Sequence, residues 1–142
     1  MPERLKQLIY VSTPTDDHPE TLSAILASAQ KHYAANGITG MLLYAEGSFL
    51  QVLEGPPEAV DATYARIQQD PRHKRTLVMS EHAVPQREFG DWRMGFHALS
   101  AADAERFPDH ARWFRYGFQP EAIQAQPGLA LELLRLFASG VR

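Results

Sequence analysis

The order of apolar segments predicts an α+β fold: a β-α-β-β-α-β-β sheet with two helices on one face and a C-terminal helical extension covering the other. Two observations carry this. Up to about Leu99, apolar spacing alternates between the two-residue repeat of strands and the roughly 3.6-residue repeat of helices. Beyond it the chain turns into short polar stretches and then a segment that is apolar nearly all round. The 142 residues suit one compact unit with its own core, read here as a domain over 1–99 and a helical extension over 100–142.

Leu5–Ser12 (LKQLIYVS) is rich in strand-forming residues and stops at Thr13-Pro14. Asp17-His18-Pro19-Glu20 reads as a helix start, with Asp17 as the cap and Glu20 at the capping-box position. Asp16 and Asp17 are better explained by this cap than as a catalytic carboxylate pair. Leu22, Leu26, Ala29 and Tyr33 then share one helical face with Ile25 beside them, and Asn36-Gly37 supplies the stop. Ile38–Ala45 and Ser48–Glu54 read as strands joined by a tight turn at Glu46-Gly47. Gly55-Pro56-Pro57 ends the second of these and opens a helix that runs to about Asp70, with Val60, Tyr64 and Ile67 on one face and Pro71 as its end. Thr76–Val84 is a weaker strand and Trp92–Leu99 a better one. The first six elements follow the ferredoxin-like pattern, an antiparallel sheet backed by two helices.

In the tail, Phe107-Pro108 breaks a short helical stretch, and Gln119–Gln126 is loop-like or weakly helical. Leu129–Ala138 must be buried, either on the sheet face that the first two helices leave open or in a subunit interface.

Composition excludes several classes of function. The balance of 14 Lys+Arg against 17 Asp+Glu, net charge −3, offers nothing to a nucleic acid. The absence of cysteine removes disulfides, thiolate catalysis and Cys-ligated metals. Met1 to Gln7 lacks a signal-peptide core, and no apolar run approaches the ~20 residues of a membrane span, so a cytoplasmic location away from membranes is expected. His18, His32, His73, His82, His97 and His110 form no tight ligand pair, so no metal site is expected. Gly-rich phosphate loops and the GxSxG nucleophile turn are missing. An enzyme such as a small hydrolase on the same fold would need a nucleophile or an acid–base pair, and the motif residues offer none.

Strand alternation places some polar groups in apolar rows. Gln51 shares a face with Phe49 and Leu53, Tyr10 with Leu8, and Trp92 and Met94 with Phe96. A buried amide needs hydrogen-bond partners, because burial without them costs a few kcal/mol. Tyr10, Gln51, Trp92 and Met94 therefore form either a satisfied polar cluster of the core or a ligand site beneath the helices. Arg66 and Asp70 stand at i, i+4, which makes a surface ion pair or, beside a cleft, a holder for phosphate or carboxylate.

Taken in order, LIYVS with Tyr10, NGITGMLLY (Asn36–Tyr44), FLQVLEG (Phe49–Gly55), Tyr64–Asp70 (YARIQQD), Arg72-His73 and Arg87–Met94 (REFGDWRM) resemble the BLUF family, sensors of blue light that bind FAD. The resemblance covers about Arg4 to Leu99. It implies a flavin held between the two helices over the sheet. It implies Tyr10 as the photoactive tyrosine, Gln51 as the glutamine bridging it to the flavin, and Met94 and Trp92 as the neighbours whose exchange of position is debated. It implies contacts to FAD from Tyr10, Gln51, Lys31, His32, Tyr33, Arg66, Asp70 and His73. Light would then drive an electron and a proton from Tyr10, and Gln51 would relay the proton and rearrange its amide by rotation or tautomerisation. Gln51 and Met94 would pass the change to the last strand and the tail. The output would be signalling rather than turnover, through an unknown protein partner and with a homo-oligomer expected. One position departs from the pattern: Tyr33 stands where the family usually has an asparagine, four residues before Gly37. It motivates a second expectation, a flavin-less interaction module of the same fold.

Overall fold

The structure is a computed structural model that describes residues 4–15, 18–90, 93–126 and 128–138. Five strands, β1 (Leu5–Pro14), β2 (Thr39–Ala45), β3 (Ser48–Gly55), β4 (His73–Val84) and β5 (Arg93–Ala98), form one sheet in the order β4-β1-β3-β2-β5. The first four pair antiparallel, while β5 runs parallel to β2 and makes the sheet mixed. The helices α1 (Pro19–Asn36) and α2 (Pro57–Gln69) make the two crossovers of the ferredoxin-like pattern.

Local chemistry accounts for the boundaries. Pro19 and Pro57 open their helices, where a missing N–H costs nothing. Gly37 closes α1 in the left-handed conformation (φ 70°) and returns its N–H to the Tyr33 carbonyl. The hairpin turn has φ of 44° at Glu46 and 77° at Gly47, the double-positive geometry that matches strand twist. The residue preceding α1 is His18, and it makes no side-chain cap hydrogen bond. Asp16 and Asp17, the latter expected as the cap, lie outside the described residues, as does Trp92.

The sheet is covered on both faces, which is why every residue of β3 is buried. On one face Leu8, Tyr10, Phe49 and Leu53 pack with Ile25 and Tyr33 of α1 and Val60 and Ile67 of α2. On the other, Ile9, Val11, Met41, Leu43, Leu50 and Val52 pack against the tail. The tail comprises α3 (Ala101–Arg106), a 3-10 turn at Pro108–His110, α4 (Ala111–Tyr116), α5 (Pro120–Gln124) and α6 (Leu129–Ala138). Its Trp113, Phe118, Ile123, Leu133, Leu134 and Phe137 complete that second core. The nearly all-round apolar character of α6 thus has a use within the chain, with Glu132 and Arg135 left exposed. None of the described helices is long and apolar enough to cross a membrane.

Candidate functional site

Adjacent strands bring the first two polar residues together. The β1–β3 register sets Tyr10 directly opposite Gln51, and Leu42 flanks Gln51 on β2. Both side chains rise from the sheet into the helix-covered core, where Tyr10 is 0% and Gln51 2% exposed. The Tyr10 hydroxyl donates to Gln51 Oε1, and Gln51 Nε2 donates to the Tyr33 hydroxyl at 3.1 Å. Tyr33 comes from the inner face of α1 and is itself buried. The amide expected to need partners therefore sits between two phenols, each able to donate or accept. Burial pushes both phenols well above the usual tyrosine range, and the nearness of Tyr33 adds to the effect on Tyr10. The Tyr10 ring also packs against Tyr64 of α2, centroids 5.2 Å apart.

Above this cluster, a cavity of about 600 Å³ opens between α1 and α2. Gln51, Tyr33 and Leu42 line its inner part, with Ile25 and Ile67 as apolar walls; Tyr10 is absent from the lining, one hydrogen bond further in. The α2–β4 connection forms the mouth. There the Arg72 guanidinium grips the Asp70 carboxylate, Nη2 to Oδ2 2.7 Å, and reaches Ser28 of α1 at 3.3 Å. That cation holds the Asp70 carboxyl below its usual range. His73 Nδ1 lies 3.2 Å from the Ser12 hydroxyl, and burial pulls its imidazole below the usual histidine value. Arg66 spans from α2 to the imidazole of His32 on α1, Nη1 to Nδ1 3.1 Å.

Most candidates from the sequence converge here: Gln51, His32, Tyr33, Arg66, Asp70 and His73 all line the cavity. Lys31 does not. It is exposed on α1, because a helix turns about 100° per residue and only its neighbours His32 and Tyr33 fall on the inward arc. Nor does Arg66 pair with Asp70. The helix ends at Gln69 and Asp70 is already extended (ψ 122°), so i, i+4 geometry is lost and Arg72 takes the carboxylate. Met94 stands on β5, but its side chain, like Trp92, lies outside the described residues.

Three contributors escaped the sequence reading. Arg72 and Ser28 share the mouth with Asp70. Glu54 is fully buried, and its carboxyl oxygens accept from Gln7 Nε2 (2.8 Å), Glu88 N (3.0 Å) and Phe89 N (2.7 Å), which fastens the loop that leads into β5. The alternation that exposed Gln51 also puts Glu54 in a row with Leu50 and Val52, so the same signal was there to be used.

A sequence profile for BLUF, sensors of blue light using FAD, matches residues 5–95. The chain belongs to the BLUF family. Photoactivated adenylate cyclase subunit beta of Euglena longa is 34% identical over 93 residues, which is 63% of this chain and 11% of the cyclase subunit. The blue light- and temperature-regulated antirepressor BluF of Escherichia coli is 37% identical over 87 residues, 61% of this chain and 22% of BluF. The chain thus spans only a small part of these relatives. The BLUF protein BlrB, solved in its dark state, is similar throughout: TM-score 0.80 and 27% identity, covering 99% of this chain and 100% of BlrB. That likeness includes the tail.

FAD is the cofactor by which the family is defined. The residues present here fit it. The cavity has the size of a ligand pocket, with apolar walls and a few convergent polar groups. Ile25, Leu42 and Ile67 suit a flat ring system, the Gln51 amide at the inner end suits its polar edge, and Arg66, Arg72 and Ser28 at the mouth suit phosphates.

Proposed function

We propose that this BLUF protein is a blue-light receptor whose switch is the hydrogen-bonded pair Tyr10–Gln51. Residues 1–99 form its sensing part and residues 100–142 its helical extension. The observation that carries the reading is the Tyr10 hydroxyl donating to Gln51 Oε1, both buried, at the inner end of a cavity that Gln51 lines. Bound FAD supplies blue absorption and an electron acceptor. Tyr10 is the source of the electron and proton, with its proton already directed at Gln51. Gln51 relays that proton and changes its hydrogen bonding, by rotation or tautomerisation, and the electron and proton return to Tyr10 while the rearranged bonding persists. Tyr33, His32, Arg66, Asp70 and His73 hold and orient the ligand from the cavity walls, and Met94 on β5 carries the change towards the tail. The protein acts as a sensor and not as an enzyme, in the cytoplasm, through a protein partner and as a homo-oligomer.

The visible spectrum of the purified protein, as isolated and after loading with FAD, tests this directly. A flavin spectrum that shifts to the red under blue light and recovers in the dark is expected. Gln51→Leu should bind flavin and lose the shift, and a full shift in that variant would remove Gln51 from the switch.

A second reading rests on Tyr33. Its hydroxyl already takes an amide hydrogen of Gln51 that a ligand would otherwise meet. On that reading the protein is a flavin-less interaction module, colourless as purified and colourless after incubation with FAD.

A further inference from the structure

Three donors converge on the fully buried Glu54 carboxylate: Gln7 Nε2 of β1 at 2.8 Å, Glu88 N at 3.0 Å and Phe89 N at 2.7 Å. Among the described residues no ion pair reaches it. A carboxylate in an apolar sheet row is costly unless bonded, so these N–H groups are what permits it there. Gln7 turns its nitrogen to the carboxylate although this leaves its own buried Oε1 without a hydrogen-bond partner among the described residues. The other two donors are consecutive backbone N–H groups of one loop, and only a carboxylate side chain offers an acceptor oxygen to each.

The loop held in this way reaches in three directions. Arg87 Nη1 donates back to the Glu54 carbonyl and to Thr39 Oγ1 at the start of β2, both at 3.0 Å. The Glu88 carboxylate turns outward to Arg135 of α6, accepting from its Nε at 3.0 Å and from its Nη2. Phe89 turns inward and is buried in the same tail-side core as Leu133, Leu134 and Phe137 of α6. β5 begins at Arg93, shortly beyond the loop. It is an edge strand paired with β2 alone, so the point at which the chain enters it is set by this loop.

We propose that Glu54 is a positioning residue that joins β5 to the tail: its carboxylate fixes the Glu88–Phe89 backbone, so that a displacement of β5 is carried to α6 through Phe89 and the Glu88–Arg135 pair. The inference deepens the reading of this protein as a light receptor that acts through β5, and rests on it. The route enters the tail at the start of β5 and is separate from the stacking of His97 on Phe137 near the end of that strand. Without the grip of Glu54, β5 can move and leave α6 where it is.

Glu54→Gln tests the idea, because it keeps the shape and offers one acceptor oxygen where three donors meet. In the FAD-loaded chain kept in the dark, hydrogen exchange at the Glu88 and Phe89 amides should quicken about tenfold or more in the variant. The red shift should keep its wild-type size, because Tyr10 and Gln51 face the other side of the sheet. Under blue light the wild type should change its amide exchange over 129–138, and this change should fall several-fold in Glu54→Gln. A carboxylate that only stabilised the core would leave that light-dependent difference in place. Gln7→Met is the control: it removes the donor from β1 and the unpartnered oxygen but keeps both loop bonds, so all three readouts should stay at wild-type values. Glu54→Asp keeps the charge and withdraws it by one methylene. It should reproduce the Glu54→Gln result in weaker form, and it decides the matter if the amide variant does not fold. Wild-type exchange at Glu88 and Phe89 in the Glu54 variants, or an undiminished light response of α6, would overturn the proposal. So would a wild-type protein that shifts to the red with no change over 129–138. A wild-type protein without any red shift would instead refute the receptor reading, and the dark exchange alone would then decide whether Glu54 positions the loop.

Discussion

At the scale of single residues, the site combines groups that are neutral and fully enclosed. Tyr10 and Tyr33 each bury a phenol that ionises near pH 10 in an unfolded chain and well above it here, because burial penalises the phenolate. The sign of the linkage follows. Below pH 10 both states hold these protons and the tyrosines leave stability untouched by pH. Above it the unfolded chain releases protons that the folded chain retains, so folding stability falls as pH rises towards the folded-state values. The protein should therefore unfold cooperatively in alkali, with the phenolate absorbance of these two tyrosines appearing in the same step as the loss of helical circular dichroism. Tyr33→Phe removes one of the two protons, so its stability should decline less steeply with pH above 10. Buried tyrosines that titrate gradually while the fold persists would contradict the enclosure described here.

At the scale of elements, α6 closes the second face of the sheet. Leu133 is fully buried, with Leu129, Leu134 and Phe137 of the same helix in the same core. Leu133→Ala should destabilise the protein by about 2–5 kcal/mol, read as a lower denaturant midpoint at unchanged slope. A loss below about 1 kcal/mol would mean that α6 packs loosely. The helix was legible from the sequence because its apolar residues cover nearly its whole circumference and leave only the narrow edge of Glu132 and Arg135, and β1, β2 and β3 were legible through alternation and turn chemistry. What escaped depended on chain ends and long-range partners. Helical spacing pairs Arg66 with Asp70 only if the helix runs one residue past Gln69, where the backbone instead turns extended. Arg72 lies two residues beyond Asp70, and nothing in local spacing shows that it folds back onto that carboxylate and across to Ser28. Lys31 and His32 are adjacent in sequence, and only the helix phase separates an outward lysine from an inward histidine. Gln51 was found because an amide in an apolar row demands partners. Its partners were another matter: Tyr10 follows from strand pairing, whereas Tyr33 could be placed only once the packing of α1 on the sheet was known.

For the molecule as a whole, the sheet acts as a partition between two cores. The helix-side core holds the cavity and the Tyr10–Gln51–Tyr33 cluster, and the tail-side core packs aliphatic and aromatic side chains, with the buried Glu54 carboxylate in the same strand row as Leu50 and Val52. β5 belongs to both. Phe96 packs with the helix-side core, while the next residue, His97, stacks on Phe137 of α6 with ring centroids 4.8 Å apart and lies 3.0 Å from the Asp103 carboxylate of α3. A strand with successive side chains on opposite faces couples the two layers by geometry alone. The tail is thus structural before it is anything else. A chain ended after Leu99 would present Ile9, Val11, Met41, Leu43, Leu50 and Val52 to water, a contiguous apolar face of the kind that monomeric proteins rarely expose beyond a few hundred Å². Such a chain should bind a hydrophobic dye, associate at micromolar concentration, and lose the cooperative unfolding transition of the 142-residue chain. If it instead stayed monomeric and unfolded cooperatively, the helix-side core would be sufficient to hold the sheet. The tail would then be free to leave that face, and its departure would become available as the output of the switch.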